Sequence, residues 1–276
     1  MTDLDTLCVE LTLRCPLRCV HCSANAAPER DEMIDERLLL ARLRELGPIQ
    51  AVYLSGGEPF EHPGLPGLVE AVAGLADEVA IYSSGVMLGP AGGEPLSERA
   101  IRGVSRHVSR VDVSVYSMSP AEHDAVTGLA GSFDLTLQTI RRLRLCGVPF
   151  GIHFVPVGTG SVLPLAQFAR EAGAERFHVL AVARQGRAAS LDVEPSPGLL
   201  DDLRVLLGAR IGIDVAVSSQ LRRALAFGAT PRDELRAAFM DVRGHLHRSE
   251  GERARGARSL RSIGEAGVVE LLADLA

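Results

Sequence analysis

The chain contains no tryptophan and only 3 tyrosines among its 276 residues. It also contains no lysine, so all 29 basic residues are arginine. Without lysine there is no Schiff-base lysine and no phosphate-loop lysine, which excludes pyridoxal-phosphate catalysis and P-loop nucleotide hydrolysis. The scarcity of large rings leaves little surface on which a large planar substrate can stack, and this favours aliphatic or peptide material.

Long apolar runs and an excess of positive charge are also missing. No apolar run reaches the roughly 18–20 residues that cross a bilayer, and the formal net charge is -6. We therefore expect neither a membrane nor a nucleic acid as a partner. No secretory signal opens the sequence and the cysteine count of 5 is odd, so we expect free thiols in a reducing cytoplasm.

Three of the cysteines form a compact motif. Cys15, Cys19 and Cys22 have the spacing CxxxCxxC and follow an apolar segment directly. This spacing can hold an iron–sulfur cluster by three corners and leave its fourth iron open. The alternative is zinc, but a closed structural zinc site takes four ligands, usually as two separated pairs, and the only extra candidate within the run is His21.

A second motif lies further along the chain, where the apolar run 51–55 predicts a buried strand. The run leads directly into the tetrapeptide Gly56, Gly57, Glu58 and Pro59. Two glycines let backbone amide and carbonyl groups approach a small ligand closely. Such a turn suits a zwitterion.

The two motifs together resemble the radical S-adenosylmethionine (radical SAM) superfamily. The resemblance implies one [4Fe–4S] cluster on the three cysteines, with SAM chelating the open iron and being cleaved reductively to a 5′-deoxyadenosyl radical. It also implies that the turn after the second strand binds SAM, through Gly56, Gly57, Glu58 and Pro59.

Short apolar strands alternate with helical patterns, as in βα units that form a parallel sheet. The predicted strands are Leu7–Leu11, Val52–Ser55, Val79–Tyr82, Val111–Tyr116, Phe150–Val155 and Phe177–Val182. The predicted helices between them are Ile34–Leu46, Leu65–Leu75, Ser97–Val104, Ser132–Cys146 and Leu163–Ala172. Six such units predict an α/β fold of the radical SAM kind, a partial (β/α)6 TIM-type barrel.

The sequence predicts a core domain at 1–191 and a mostly helical C-terminal extension at 192–276. Helices are predicted at Leu199–Leu207 and Asp233–His247, and a short strand at Ile211–Val217. Two histidines in the second helix, two residues apart, point to different sides of it, so we interpret them as part of a solvated face and not as a metal site. No cysteine follows Cys146, so the extension cannot bind clusters through thiolates.

Chemistry in β/α barrels gathers at the C-terminal ends of the strands, and the resemblance extends the SAM site to residues found there. The further cofactor-binding candidates are His21, Ser83, Ser84, Ser114 and His153. The catalytic candidates are Arg187, Tyr116 and Cys146. The planar guanidinium of Arg187 suits a carboxylate or a substrate backbone. Cys146 and Cys8 both resemble buried apolar residues. Cys146 is also a candidate hydrogen donor, and an epimerase would have only these two cysteines available for that role.

Residues 117–133 and 185–188 resemble the SPASM-type subgroup, whose members often modify ribosomally made peptides but carry a cysteine-rich extension that this chain lacks. The sequence therefore predicts hydrogen abstraction from a peptide, leading to epimerisation, a crosslink or a related modification. One alternative is an epimerase or dehydratase acting on a sugar or nucleoside of an antibiotic pathway. Another is a non-catalytic or truncated substrate-binding partner. The resemblance further implies an external electron donor such as a flavodoxin or ferredoxin.

Overall fold

A computed structural model of the chain describes residues 4–90, 92–157, 161–191, 194–209, 212–225 and 237–247. The strands are β1 (Thr6–Thr12), β2 (Ile49–Gly56), β3 (Ala76–Ser83), β4 (Val86–Met87), β5 (Glu94–Pro95), β6 (Arg110–Ser114), β7 (Phe150–Phe154), β8 (Arg176–Val179), β9 (Asp214–Val217), β10 (Ala237–Met240) and β11 (Leu246–His247). The α-helices are α1 (Glu36–Leu46), α2 (Leu65–Ala73), α3 (Glu98–Val104), α4 (Pro120–Thr127), α5 (Ser132–Leu145), α6 (Leu163–Ala172), α7 (Pro197–Gly208) and α8 (Ser219–Ala224).

Within the described ranges, nine strands form one sheet in the order β11-β10-β1-β2-β3-β6-β7-β8-β9, and β4 pairs separately with β5. All neighbours in the large sheet are parallel except β10 and β11. The six predicted strands are β1, β2, β3, β6, β7 and β8, so the α/β prediction is confirmed. The mostly parallel sheet with helices between its strands is consistent with a partial TIM-type barrel.

The two faces of the large sheet differ in polarity. Successive side chains of a strand point to opposite faces, so alternate residues belong to the same face. One face is apolar and fully buried against the helices, with Leu7, Val9, Val52, Leu54, Val79, Ile81, Val111, Val113, Ile152 and Phe177 among its members. The other face is polar and concave. The rings of Tyr82 on β3 and His153 on β7 lie 4.7 Å apart although β6 separates the two strands. The sheet therefore curves around this polar face.

Several helices begin where a side chain caps the free backbone N–H groups, which stabilises a helix start by about 0.5–2 kcal/mol. The Asp35 carboxylate accepts from the N–H groups of Arg37 and Leu38 at the start of α1. Ser97 and Ser196 do the same for α3 and α7. Within the ranges that the structure describes, no helix is long and apolar enough to cross a membrane.

The C-terminal strands extend both edges of the core sheet. β9 pairs with β8, and β10 pairs with β1. The helix predicted over Asp233–His247 is wrong in its described part, because residues 237–247 form β10, a turn and β11; the first four residues of that prediction lie outside the described ranges. Pairing with β1 overrides the local helical pattern, as tertiary context commonly does.

Asp241 organises the turn between β10 and β11. Its Oδ1 accepts from the N–H groups of Arg243 and His245, at 2.9 and 3.0 Å. Its Oδ2 lies 3.1 Å from Nε2 of His247, which is buried. The solvated helix face predicted for the two histidines is therefore wrong, since one of them is packed inside a hairpin.

We expect Asp241→Asn to lower the free energy of unfolding by about 2 kcal/mol at pH 7, since one pKa unit corresponds to about 1.36 kcal/mol. Burial acts to raise the pKa of Asp241, but the hydrogen bonds from His247 and the turn amides outweigh it and lower the pKa from 3.8 to about 2. Because the folded state has the lower pKa, this stabilisation is present above pH 3.8 and is lost as the pH falls towards 2.

Urea unfolding of the cluster-free chain at pH 7 and pH 3 measures this difference. Asp201→Asn is the matched control, because it removes only an exposed pair with Arg204, and such pairs contribute about 0–1 kcal/mol. A loss for Asp241→Asn that is the same at both pH values would contradict the expectation.

Candidate active site

A cavity opens on the concave face at the C-terminal ends of the parallel strands. It encloses about 190 Å³, many times the roughly 10–15 Å³ that one water molecule needs. Twelve of the predicted site residues line it, namely Cys15, Cys19, His21, Cys22, Gly56, Gly57, Ser83, Ser84, Ser114, Tyr116, His153 and Arg187. The structure thus brings residues from five strand ends and one long loop to a single place.

The loop that follows β1, residues 13–27, carries the three clustered thiols and is called the cysteine loop below. Its two ends are joined by the hydrogen bonds Cys15 N–H to Ala27 O and Ala27 N–H to Leu13 O, at 3.2 and 3.1 Å. Within it, the N–H of Cys22 donates to Cys19 O at 3.1 Å. The loop is therefore a closed unit that holds all three thiols against the cavity.

The Gly56–Gly57 turn packs against the base of the cysteine loop. The N–H of Gly57 donates to Thr12 O at 2.6 Å, and the N–H of Glu58 donates to Arg14 O at 2.8 Å. A Cβ added to Gly57 would overlap the carbonyl of Arg14. The glycines are needed for this contact between backbones, in addition to lining the cavity.

Glu58 lies behind the cavity wall and not in it. Its carboxylate accepts from Ser83 Oγ at 2.9 Å and from the N–H and Oγ of Ser84 at 2.8 and 2.6 Å. Burial raises the pKa of Glu58 to about 7, although these hydrogen bonds act to lower it. Glu58 thus fixes the two serines that face the cavity. Pro59 begins a short 3-10 helix and is buried outside the cavity lining.

Two of the three thiols, those of Cys15 and Cys19, lie in an environment that disfavours thiolates unless a cation is bound. Burial, with a contribution from Cys19, raises the pKa of Cys15 well above its usual value. Burial and Cys22 raise the pKa of Cys19 to about 12, against the opposing effect of Arg187. Metal ions bind such ligands in deprotonated form and displace their protons.

Two histidines that line the cavity have buried ring nitrogens without a hydrogen-bond partner among the described residues. His153 is 7% exposed, and neither of its ring nitrogens has a hydrogen-bond partner in the part of the chain that the structure describes. Burial lowers its pKa well below the usual value, so its ring is neutral. His21 packs edge-on against Tyr116 with ring centroids 4.8 Å apart, and its Nδ1 is also unpartnered. Buried polar atoms normally have a hydrogen-bond partner in the protein, a water molecule or a bound group.

Arg187 is bound to the cysteine loop. Its Nε donates to Cys19 O at 2.7 Å and its Nη2 donates to Ala26 O at 2.9 Å. Burial lowers the pKa of His21 to about 4, and the positive charge of Arg187 contributes to the same shift. The contacts that the structure shows for the Arg187 guanidinium are with loop carbonyls. Its contact with a carboxylate or a substrate backbone stays a prediction.

Cys146 lies away from the cavity. It ends α5, four residues before β7 begins, which places it at the N-terminal edge of the sheet. Cys8, which the sequence suggests is simply an apolar core residue, lines the cavity together with Tyr82. The missed signal was alternation, since Cys8 lies between Leu7 and Val9, both of which face the helices.

Comparison with known proteins agrees with this geometry. The family model described as "Radical SAM superfamily" matches residues 9–169, and the chain belongs to that superfamily. A PqqA peptide cyclase of Xanthomonas campestris pv. campestris is 34% identical over 177 residues, which are 62% of this chain and 45% of the relative. An AdoMet-dependent heme synthase of Methanosarcina barkeri is 29% identical over 195 residues, 68% of this chain and 53% of the relative. The chain spans about half the length of these curated relatives.

A solved structure of Streptococcus suis SuiB bound to the precursor peptide SuiA has the same fold. Its TM-score is 0.78 at 14% sequence identity, and the match covers 98% of this chain and 65% of SuiB. The radical SAM superfamily uses a [4Fe–4S] cluster and SAM. The residues found here fit both cofactors, because three cysteines line one cavity and two further lining residues, His21 and His153, have buried ring nitrogens without a partner among the described residues.

Proposed function

We propose that the chain is a radical SAM enzyme whose cluster is held by Cys15, Cys19 and Cys22 and whose substrate is a peptide. When bound and reduced, the cofactors supply a 5′-deoxyadenosyl radical that removes a hydrogen atom from an unactivated C–H bond. The main support for this proposal is that the three cysteines and the Gly56–Gly57 turn line the same cavity.

The chain's own residues would bind and orient SAM. The backbone of Gly56 and Gly57 and the hydroxyl groups of Ser83, Ser84 and Ser114 line the cavity beside the thiols. The neutral ring of His153 can donate from one nitrogen and accept at the other. Glu58, although it lies outside the lining, acts indirectly because it fixes both Ser83 and Ser84.

A peptide substrate is favoured by the peptide cyclase relative and by the peptide-bound SuiB structure. The alternative is a sugar or nucleoside. Reduction would come from an external one-electron donor of the flavodoxin or ferredoxin type in a reducing cytoplasm. In this proposal residues 1–191 form the radical SAM core, and the extension completes both edges of its sheet.

Among the possible outcomes, Cys8 favours epimerisation. The thiols of the cysteine loop lie beyond the C-terminal end of β1, whereas Cys8 is on the third residue of that strand. A substrate carbon held between them would face the radical source on one side and the Cys8 thiol on the other. Its hydrogen would leave towards one face and be replaced from the opposite face, which inverts the carbon.

The Cys8 S–H bond breaks as a new C–H bond forms on the substrate carbon radical. The sulfur radical left on Cys8 returns to the thiol with one electron from the external donor and one proton from water. Each inversion would therefore consume one SAM and two electrons, one for the cleavage of SAM and one to reduce the sulfur radical on Cys8.

The experiment incubates the reconstituted enzyme, SAM and reductant in D2O with peptides encoded beside its gene, or with a panel of nucleosides and nucleotide sugars. We expect a peptide, and not the panel, to raise 5′-deoxyadenosine formation and to gain one deuterium at an inverted residue. Cys8→Ser is expected to abolish the deuterated product while 5′-deoxyadenosine still forms. Cys146→Ser is the matched control and is expected to behave as the parent.

Turnover of a nucleoside or sugar would overturn the peptide assignment. An inverted, deuterated product from Cys8→Ser would exclude Cys8 as the donor. A cluster-loaded protein that forms no 5′-deoxyadenosine with any of these compounds would favour the non-catalytic binding partner.

A further inference from the structure

The cysteine loop is held by neighbouring segments on more than one side. At the end of α4, Thr127 O and Val126 O accept from the N–H groups of Arg18 and Val20, each at 2.9 Å. The Gly56–Gly57 turn holds the base of the loop. The third support is the short segment after β8, and its main contacts come from one residue, Arg187.

Arg187 binds three carbonyl groups of the loop at once. Its backbone N–H donates to Cys22 O at 3.0 Å, and its guanidinium donates to Cys19 O and Ala26 O. The guanidinium is planar and its N–H groups are arranged as a rigid fork, so it fixes the distance between two acceptors. Two of these three carbonyls belong to the thiol-bearing residues Cys19 and Cys22.

Gly186 brings the arginine close enough to make these contacts. Its φ is +59°, in the left-handed region, and a Cβ at this position would overlap Cys22 O. The backbone of Gly186 therefore packs directly on the loop. This contact places the next residue, Arg187, within hydrogen-bond distance of the loop carbonyls. The segment lies 168 residues from Cys19 in the chain, so the contact is tertiary.

The charge of Arg187 also acts on the cavity that it lines. A guanidinium stays protonated at every accessible pH, and charges interact more strongly in a partly buried site than in water. A cluster gains one negative charge when it is reduced, and its potential depends on nearby charge and hydrogen bonding. A fixed positive charge at this position favours the reduced state.

We propose that Arg187 is a positioning residue for the cluster, which sets the spacing of Cys19 and Cys22 before assembly and makes the bound cluster easier to reduce. This inference rests on the proposed cluster site and not on the identity of the substrate. It assigns to Arg187 a role that is independent of any carboxylate of SAM or substrate.

The test uses Arg187→Gln and Arg187→Lys beside Arg184→Gln. Arg184 is a suitable control because it is three residues away and forms an exposed pair with Glu194, at 2.7 Å. Each full-length protein is reconstituted anaerobically with iron and sulfide. Iron and sulfide per chain are counted, and the midpoint potential is measured by titration followed by electron paramagnetic resonance, without SAM or substrate.

We expect Arg187→Gln to retain less iron than Arg184→Gln and to have an about tenfold less favourable reduction equilibrium, a negative shift of about 59 mV for one electron. Arg187→Lys keeps the charge but not the fork, so we expect a potential near that of the parent with reduced iron content. Parent-like iron content and potential in Arg187→Gln would overturn the inference.

If circular dichroism shows that Arg187→Gln is unfolded, Arg187→Lys decides the question. Reduced iron content with a folded apo chain then supports the positioning role, and parent-like iron content overturns it. A parent protein that takes up no cluster would instead overturn the proposed function.

Discussion

Cys19→Ala is expected to abolish 5′-deoxyadenosine formation by the anaerobically reconstituted protein with SAM and dithionite. Residues that only support a metal ligand typically contribute 10–100-fold to affinity or activity, so loss of a direct ligand is expected to exceed about 100-fold. Cys19 is also central to the cysteine loop, since its carbonyl accepts from both Cys22 N–H and Arg187 Nε. An alanine keeps those backbone contacts and removes only the sulfur.

Cys146→Ala is the matched control for that experiment. Cys146 lies outside the cavity, packed against the main core, so its alanine variant is expected to keep the cluster and the activity. Product formation by Cys19→Ala at the parent rate would exclude Cys19 as a cluster ligand. Equal loss in both variants would indicate a general effect on folding and would leave the ligand assignment without support.

Gly57→Ala is expected to reduce 5′-deoxyadenosine formation at least tenfold and to destabilise the fold by about 1–3 kcal/mol, the usual cost of overpacking. The added methyl group would meet the backbone of Arg14, with its carbonyl carbon 2.8 Å away. Backbone cannot rotate aside as a flexible side chain can. The turn must therefore move away from the base of the cysteine loop, and the serines that Glu58 fixes move with it.

Gly67→Ala in α2 is the control for this substitution. A Cβ at Gly67 meets nothing within 4 Å, and alanine is favoured over glycine in a helix interior by roughly 0.5–1 kcal/mol. We expect parent activity and equal or higher stability. Unchanged activity in Gly57→Ala, measured with the same preparation of SAM and reductant, would contradict the role given to the turn.

The sequence was sufficient for the fold because the local signals agreed with each other. Apolar runs of strand length alternate with helices whose ends are marked by capping residues such as Asp35 and by glycines such as Gly47. The strand ends then place the cysteine motif and the Gly56–Gly57 turn on one edge of the sheet. No long-range information was needed for these steps.

The remaining features depend on contacts that sequence patterns do not encode. Alternation along β1 places Cys8 on the face opposite Leu7 and Val9, but only the curvature of the sheet makes that face the wall of a cavity. Arg187 was identified as a site residue, but its acceptors are backbone carbonyls, which every residue has. Residues 237–240 have a helical pattern, yet they form a strand because an edge of β1 is available to them.

The pairing of β10 with β1 has a consequence for the order of events in the cell. The N–H of Val242 donates to the carboxylate of Glu10 on β1 across a separation of 232 residues, and Val242 belongs to the same buried apolar cluster as Leu13 and Cys15. The ribosome makes the cysteine loop early and this support late. Domains complete such long-range contacts only after both partners have been synthesised. A cluster inserted before residues 237–242 have been synthesised would therefore meet the three thiols on an unfinished scaffold.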